Sequence, residues 1–175
     1  DAIASGDTSF EDYVIDPEEM KIILFTSGTT AMSKGVMLCH RNICANLMAM
    51  CSMVDIKPTD TFLSILPPHH TYESTCGILA PMFRGSCLAF SDGLKYIPNN
   101  LAEAKVTVLL GVPAVFELLY KRIWASVRQK GMESKLKTGL KLSNALRKIG
   151  IDKRRSIFKA VHDNFGGQLR LFVSG

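Results

Sequence analysis

The stretch IILFTSGTTAMSKG, residues 22–35, places four apolar residues directly before a loop of hydroxyl side chains, glycines and one lysine. The apolar run predicts a buried β-strand over residues 21–25. In the loop, Gly28 and Gly35 allow the backbone to turn so that its N–H groups converge on an anion, and Lys34 adds a positive charge. Charge-assisted hydrogen bonds to phosphate are the strong kind, so the loop favours a polyphosphate ligand. The alternative is a turn that only links a strand to a helix. The hydroxyl side chains are those of Thr26, Ser27, Thr29, Thr30 and Ser33.

Two common motifs are absent from this loop. A Walker A loop requires Gly-Lys followed by Ser or Thr, whereas here Lys34 precedes Gly35. The GxSxG pattern of a nucleophile elbow is absent as well.

Beyond the loop, the hydrophobic pattern alternates between helices and strands. Residues 43–54 carry apolar side chains at helical spacing, and DTFLSILP, SCLAFS, VTVLL and LRLFV each predict a strand. A helix is predicted near 74–83, and a long one over 113–129 that ends before Gly131. This alternation predicts an α/β fold, with a mainly parallel sheet covered by helices on both faces.

Composition and charge narrow the class of protein. The 175 residues are 47% hydrophobic and 21% charged, as in a globular domain, and no apolar run approaches the roughly 20 residues that span a bilayer. Five cysteines without a CxxC pair argue against a zinc site and favour a reduced, cytoplasmic setting. The net charge of +5 is concentrated in residues 130–159, where ten lysines and arginines face only Glu133 and Asp152.

The longer stretch FTSGTTAMSKGVMLCHRN resembles the phosphate-loop signature of the acyl-adenylate-forming (AMP-binding) enzymes. The family pattern is aromatic-Thr-Ser-Gly-Thr-Thr-Gly-x-Pro-Lys-Gly-Val, followed shortly by His-x-Asn. Residues 25–30, Lys34, Gly35 and His40 fall in place, while Ala31 and Ser33 stand where glycine and proline are usual. The resemblance implies that the β- and γ-phosphates of ATP are held by Thr26, Ser27, Gly28, Thr29, Thr30 and Lys34.

Three later stretches resemble the same family in the same order, closest to the long-chain fatty acyl-CoA synthetases. LPPHHTYES resembles a segment beside the acyl pocket, with His70 at its histidine position. LLGVPAVFELLY resembles the Gly-Val-Pro passage from strand to helix, so Gly111, Val112 and Pro113 are implied to line the acyl site. LRLFVSG resembles the strand before the turn near the adenine and acyl groups, which implies a substrate contact at Gly175.

The resemblance implies a two-step reaction. A fatty acid and ATP give an acyl adenylate, and coenzyme A then takes the acyl group, with Mg2+ as the metal cofactor. No catalytic or metal-ligating residue is assigned, because the family's magnesium-binding acid, ribose-binding aspartate and mobile lysine follow later in the family pattern. We therefore expect residues 1–175 to be part of the N-terminal AMP-binding domain and to be inactive alone.

Two further interpretations stay open. Ala31 and Ser33 are compatible with a nucleotide-binding or scaffold protein of this fold that has lost ligase activity. The basic segment 130–159 predicts either an ordinary solvated helical face or a weak peripheral contact with an anionic membrane surface. Nucleic acid is not expected as a partner, because no aromatic side chains interleave with the basic ones to stack bases.

Overall fold

The computed structural model describes residue 6 and residues 14–26 and 34–175. The chain divides into two compact units, Asp1–Ala49 and Met50–Gly175. The predicted phosphate-binding residues Ser27, Gly28, Thr29 and Thr30 lie outside the described residues.

The first unit contains an antiparallel hairpin. Strand β1 (Met20–Thr26) confirms the predicted strand, and it pairs with β2 (Lys34–Cys39), which the sequence did not predict. Helix α1 (His40–Met53) follows β2 directly. Its start is fixed by Asn42, whose side-chain oxygen accepts a hydrogen bond from the backbone N–H of Cys39 at 3.0 Å, as in a capping box.

The second unit contains a four-stranded parallel sheet with the order β4-β3-β5-β6. Its strands are β3 (Thr61–Ser64), β4 (Cys87–Phe90), β5 (Val108–Gly111) and β6 (Leu171–Ser174). The chain moves from β3 to β4 on one side and then returns to β5 on the other side of β3. The direction of winding therefore reverses between β3 and β5.

Helices connect these strands. A π-helical segment (Glu73–Leu79) continues into α2 (Ala80–Phe83), and α3 (Ile97–Glu103) precedes β5. Before β6 come α4 (Pro113–Gln129), α5 (Glu133–Lys148), α6 (Arg154–Ile157) and α7 (Lys159–Asp163). The predicted α/β class with a parallel sheet is confirmed, and α4 has both of its predicted bounds.

Alternate residues of the strands face different helices. Leu63 and Leu109 pack in one core with Leu101 of α3 and Leu119 of α4. Ser64, the next residue of β3, points to the opposite face, where its hydroxyl contacts the side chain of Glu73 in the π-helical segment. The sheet thus separates an apolar core from a face that carries a buried carboxyl group.

At the amino-terminal edge of the sheet, a buried carboxylate connects residues that precede three of the strands. Asp60, directly before β3, accepts hydrogen bonds from Arg170 Nε at 2.8 Å and from Thr107 Oγ1 at 2.7 Å. Arg170 precedes β6 and Thr107 precedes β5. One carboxylate therefore ties together the beginnings of three strands.

Candidate active site

The carboxyl-terminal edge of the sheet brings together several residues that the sequence assigned to the acyl site. In open α/β sheets, ligands bind outside the carboxyl ends of the strands, where the direction of winding reverses. Here that point lies between β3 and β5. The segment with His70 follows β3, and Gly111, Val112 and Pro113 end β5 and begin α4.

The ends of β5 and β6 are joined through their backbones. The N–H of Gly175 donates to the carbonyl of Gly111 at 3.1 Å. Val112 has an extended backbone, and Pro113 occupies the first position of α4, where a missing N–H costs nothing. A side chain at Gly111 would lie 3.2 Å from the ring of Phe116, so the strand passes close to the helix that follows it.

The segment after β3 crosses to the end of β6. His70 is exposed, and its backbone is held by bonds from its N–H to Pro67 and from the N–H of Ser74 to its carbonyl. The Tyr72 hydroxyl donates to the carbonyl of Val173 at 3.2 Å. A Cβ atom at Gly175 would lie 2.7 Å from the Tyr72 ring, so glycine is required there for close contact.

Glu73 is a residue of this region that the sequence reasoning missed. Its side chain is 1% exposed, and its Oε1 accepts a hydrogen bond from Ser64 Oγ at 2.5 Å. A Cβ atom at Gly77, one turn later, would lie 2.7 Å from the carboxyl carbon, so glycine makes room for the group. The available signal was a single glutamate four residues before a glycine in an otherwise uncharged helical stretch.

The predicted phosphate-loop residues that the structure describes lie in the hairpin. Thr26 is the last residue of β1 and Lys34 the first of β2, and the two are paired across the strands. Both are exposed. The hairpin thus places Thr26 and Lys34 side by side. The roles predicted for Thr26 and Lys34 stay predictions.

Comparison with known proteins identifies the family. The family described as "AMP-binding enzyme" matches residues 3–175. The chain belongs to the AMP-binding enzyme family. Human long-chain-fatty-acid–CoA ligase 1 is 30% identical over 91% of this chain, and the peroxisomal long chain acyl-CoA synthetase 7 of Arabidopsis thaliana is 27% identical over 91%. The alignment spans 24% of each relative, so this AMP-binding chain covers about a quarter of their length.

A solved structure shares the fold. ATP-bound MatB from Rhodopseudomonas palustris is 30% identical, with a TM-score of 0.57 over 67% of this AMP-binding chain and 24% of MatB. The fold of this chain is therefore that of an adenylate-forming enzyme's N-terminal domain.

Burial raises the pKa values of three titratable groups in this region. Burial raises the pKa of Glu73 above its ordinary value of 4.5, and hydrogen bonds from Ser64 and from the backbone of Ile65 and Leu66 partly offset the rise. Burial also raises the pKa of the Tyr72 hydroxyl and of the Cys76 thiol. Tyr72 therefore remains a hydrogen-bond donor at neutral pH, and Cys76 lacks the lowered pKa of a reactive thiol.

The raised pKa of Glu73 predicts a pH dependence of stability in this AMP-binding chain. The folded state binds the proton more tightly than the unfolded state. The contribution of Glu73 to the free energy of unfolding is therefore fully present below pH 4.5, its ordinary pKa, and is lost as pH rises through the raised pKa of the folded state. Glu73→Gln cannot titrate and should lack this component. Urea unfolding across the pH range should show the wild type losing stability relative to the variant as pH rises. Parallel pH profiles would contradict the assignment.

A large cleft of the second unit is lined by side chains of α4, of β6 and of the segment between them. It has a volume of about 980 Å³, and its apolar wall includes Phe116, Phe165 and Phe172. None of the residues predicted for the acyl site lines it. Gly111 nevertheless adjoins the cleft through the ring of Phe116.

The described residues add two observations. Within 14–26 and 34–175, no group of three or more side chains has the makeup of a metal site. No helix in those ranges is long and apolar enough to cross a bilayer.

Proposed function

We propose that the full-length protein activates a fatty acid with ATP and passes the acyl group to coenzyme A. The observation that supports this most directly is the position of His70 on the segment after β3 and of Gly111 at the end of β5. Winding reverses between those strands, which is where ligands bind in sheets of this type. Family membership supports the reaction type.

The proposed chemistry has two displacement steps. A carboxylate oxygen of the fatty acid attacks the α-phosphorus of ATP, and the bond to pyrophosphate breaks, which gives an acyl adenylate. The thiolate sulfur of coenzyme A then attacks the acyl carbon and AMP leaves. The chain's part in the first step is to hold and neutralise the phosphates. The residues proposed for this are Thr26, Ser27, Gly28, Thr29, Thr30 and Lys34. Mg2+ is proposed as the metal ion that accompanies ATP.

The proposed acid is a long-chain fatty acid. The support comes from the names of relatives, including the human long-chain-fatty-acid–CoA ligase 1 and the Arabidopsis long chain acyl-CoA synthetase 7. The proposed site residues for the acid are His70, Gly111, Val112, Pro113 and Gly175.

Pyrophosphate release tests the proposal. The full-length protein, supplied with ATP, Mg2+ and fatty acids of graded length, is expected to release pyrophosphate only when an acid is present. Adding coenzyme A should yield acyl-CoA. Binding of ATP without acid-dependent release would instead favour the alternative, a nucleotide-binding or scaffold protein, which Ala31 and Ser33 permit.

A weak contact with an anionic membrane surface is proposed for the outer face of α5. Lys137, Lys141 and Lys148 are exposed at spacings that place them along one side of the helix. Leu142 and Ile149 are also exposed on α5 and at its end. Each basic side chain near an anionic leaflet contributes about 1 kcal/mol to the binding free energy. Such a weak attraction would suit a protein whose proposed substrate is a lipid.

Replacing these three lysines by glutamine is expected to weaken binding to phosphatidylserine vesicles by roughly 100-fold. Co-sedimentation at low and high salt measures the effect. The matched control replaces the exposed lysines Lys57, Lys95 and Lys121, which removes the same charge elsewhere. Equal losses in both variants, or binding that ignores salt, would leave α5 as an ordinary solvated face.

A further inference from the structure

The side chain of Glu73 links the start of the π-helical segment to the end of β3. Ser64 is the last residue of β3 and Glu73 the first of the π-helical segment, so their 2.5 Å hydrogen bond spans nine positions of the chain. The backbone of Ile65 and Leu66, directly after Ser64, also lowers the pKa of the carboxyl group. The carboxyl group is thus held at the end of β3 by the Ser64 hydroxyl.

A carboxyl group is a costly choice at a buried position. Taking it out of water disfavours the charged form, and an apolar side chain of similar volume would pack there without that cost. Glu73 is nevertheless fully enclosed, and Gly77 leaves space for it at the expense of helix propensity. What the carboxyl group provides, and an apolar side chain would not, is a fixed direction toward the end of β3.

The segment between β3 and Glu73 carries the side chains at the strand ends. Tyr72, its direct neighbour, donates to Val173 in β6 and packs against Gly175. Gly175 in turn donates to Gly111 at the end of β5. His70 lies one helical turn before Ser74, which donates to its carbonyl. A shift of the Glu73 carboxyl would therefore move the residues around the ends of three strands.

We propose that Glu73 is a positioning residue for the fatty-acid substrate, acting through Tyr72 and His70 and not by touching the substrate. This rests on the proposed function, because the site it positions is the proposed acyl site. The Ser64 hydroxyl fixes the Glu73 carboxyl at the end of β3. Tyr72, next to Glu73, contacts Val173 and Gly175 at the end of β6, and Gly175 bonds to Gly111 at the end of β5. The segment proposed to bind the phosphates belongs to the other compact unit of the chain, so the proposal concerns the fatty acid and not ATP.

The test compares steady-state kinetics of the full-length protein and its variants in fatty-acid-dependent pyrophosphate release. Glu73→Gln keeps the shape of the side chain but replaces one acceptor oxygen by an amide NH2 group, which cannot accept a hydrogen bond. Ser64→Ala removes the hydroxyl that donates to Glu73. Each is expected to raise KM for the fatty acid about fivefold or more, as loss of a buried hydrogen bond implies, with KM for ATP within twofold of the wild type. Tyr72→Phe should shift KM for the fatty acid in the same direction.

Ser143→Ala is the matched control. Ser143 is a serine of α5 buried to a similar degree as Ser64, so the same atoms are removed far from the strand ends. Its KM values should equal those of the wild type. Equal changes in the KM for fatty acid and for ATP, or equal effects of Ser64→Ala and Ser143→Ala, would overturn the positioning role while leaving the proposed function intact. A wild-type protein without acid-dependent release would overturn both.

Discussion

Asp60→Ala is expected to lower the free energy of unfolding by about 3 kcal/mol, the lower end of what breaking a buried ion pair costs. The Asp60 side chain is 3% exposed and accepts bonds from Arg170, Thr107 and the N–H of Lys57. Removing it leaves the Arg170 guanidinium, which is only partly exposed, without its counter-charge. Urea unfolding measures the change as a lower midpoint at unchanged slope.

The effect of Asp60 should depend on pH. The hydrogen bonds from Arg170 hold the pKa of Asp60 well below its ordinary value of 3.8, although burial opposes them. A carboxyl group with a lowered folded-state pKa contributes stability above its unfolded pKa and loses it as pH falls through the folded one. The difference in the free energy of unfolding between the wild type and Asp60→Ala should therefore be largest at neutral pH and should shrink below about pH 4.

Asp152→Ala is the matched control for this prediction. Asp152 accepts hydrogen bonds from Nε and Nη2 of Arg154 at 3.0 Å and 2.6 Å, just as Asp60 does from those atoms of Arg170. These bonds lower the pKa of Asp152 to about 2. That pair is exposed and joins residues two positions apart, so it is screened by water and can form in the unfolded chain too. It should change stability little. An Asp60→Ala protein as stable as Asp152→Ala would contradict the role of the buried pair.

Lys34→Ala in the full-length protein is expected to lower kcat/KM for ATP roughly 10- to 150-fold, which corresponds to losing about 1.5–3 kcal/mol from a charge-assisted hydrogen bond. The physical reason is the proposed contact between the ammonium group of Lys34 and the triphosphate. Pyrophosphate release at varied ATP concentration measures it. Binding of the fatty acid alone should change little.

Two companion variants sharpen the Lys34 result. Lys34→Arg keeps the charge but changes its geometry, so it should recover part of the lost activity. Lys121→Ala removes an exposed lysine of α4 and should match the wild type. If Lys34→Ala retained the parental kcat/KM, the phosphate role of this residue would have to be abandoned.

Local sequence signals predicted much of the fold. Helix α4 was predicted with both ends, because Pro113 suits a first helical position and Gly131, at φ +63°, suits the turn after the last. The strands β1, β5 and β6 were predicted from the short, mainly apolar stretches IILF, VTVLL and LRLFV. These signals succeed because they depend on neighbours within one or two turns of the chain.

Elements that depend on a partner were missed, or they have a form that the sequence did not predict. β2 carries Gly35 near its start and is largely exposed, so only its pairing with β1 reveals it as a strand. The helix predicted near 74–83 begins as a π-helix, with the N–H of Ala80 bonded to the carbonyl of Thr75. Pro81 has no N–H for the ordinary bond to Gly77, and the Glu73 carboxyl lies against that glycine.

The sequence by itself determined the family, the α/β class and the residue types proposed to bind ATP and the acid, because motifs and periodicity are written in adjacent positions. Only the tertiary structure decided which distant residues meet. Tyr72 bonds to Val173 across 101 positions, and Arg170 bonds to Asp60 across 110. Those contacts follow from the strand order β4-β3-β5-β6, which places the ends of β3 and β5 side by side. Strand order is set by how all the apolar faces pack at once, and therefore no local stretch of sequence contains it.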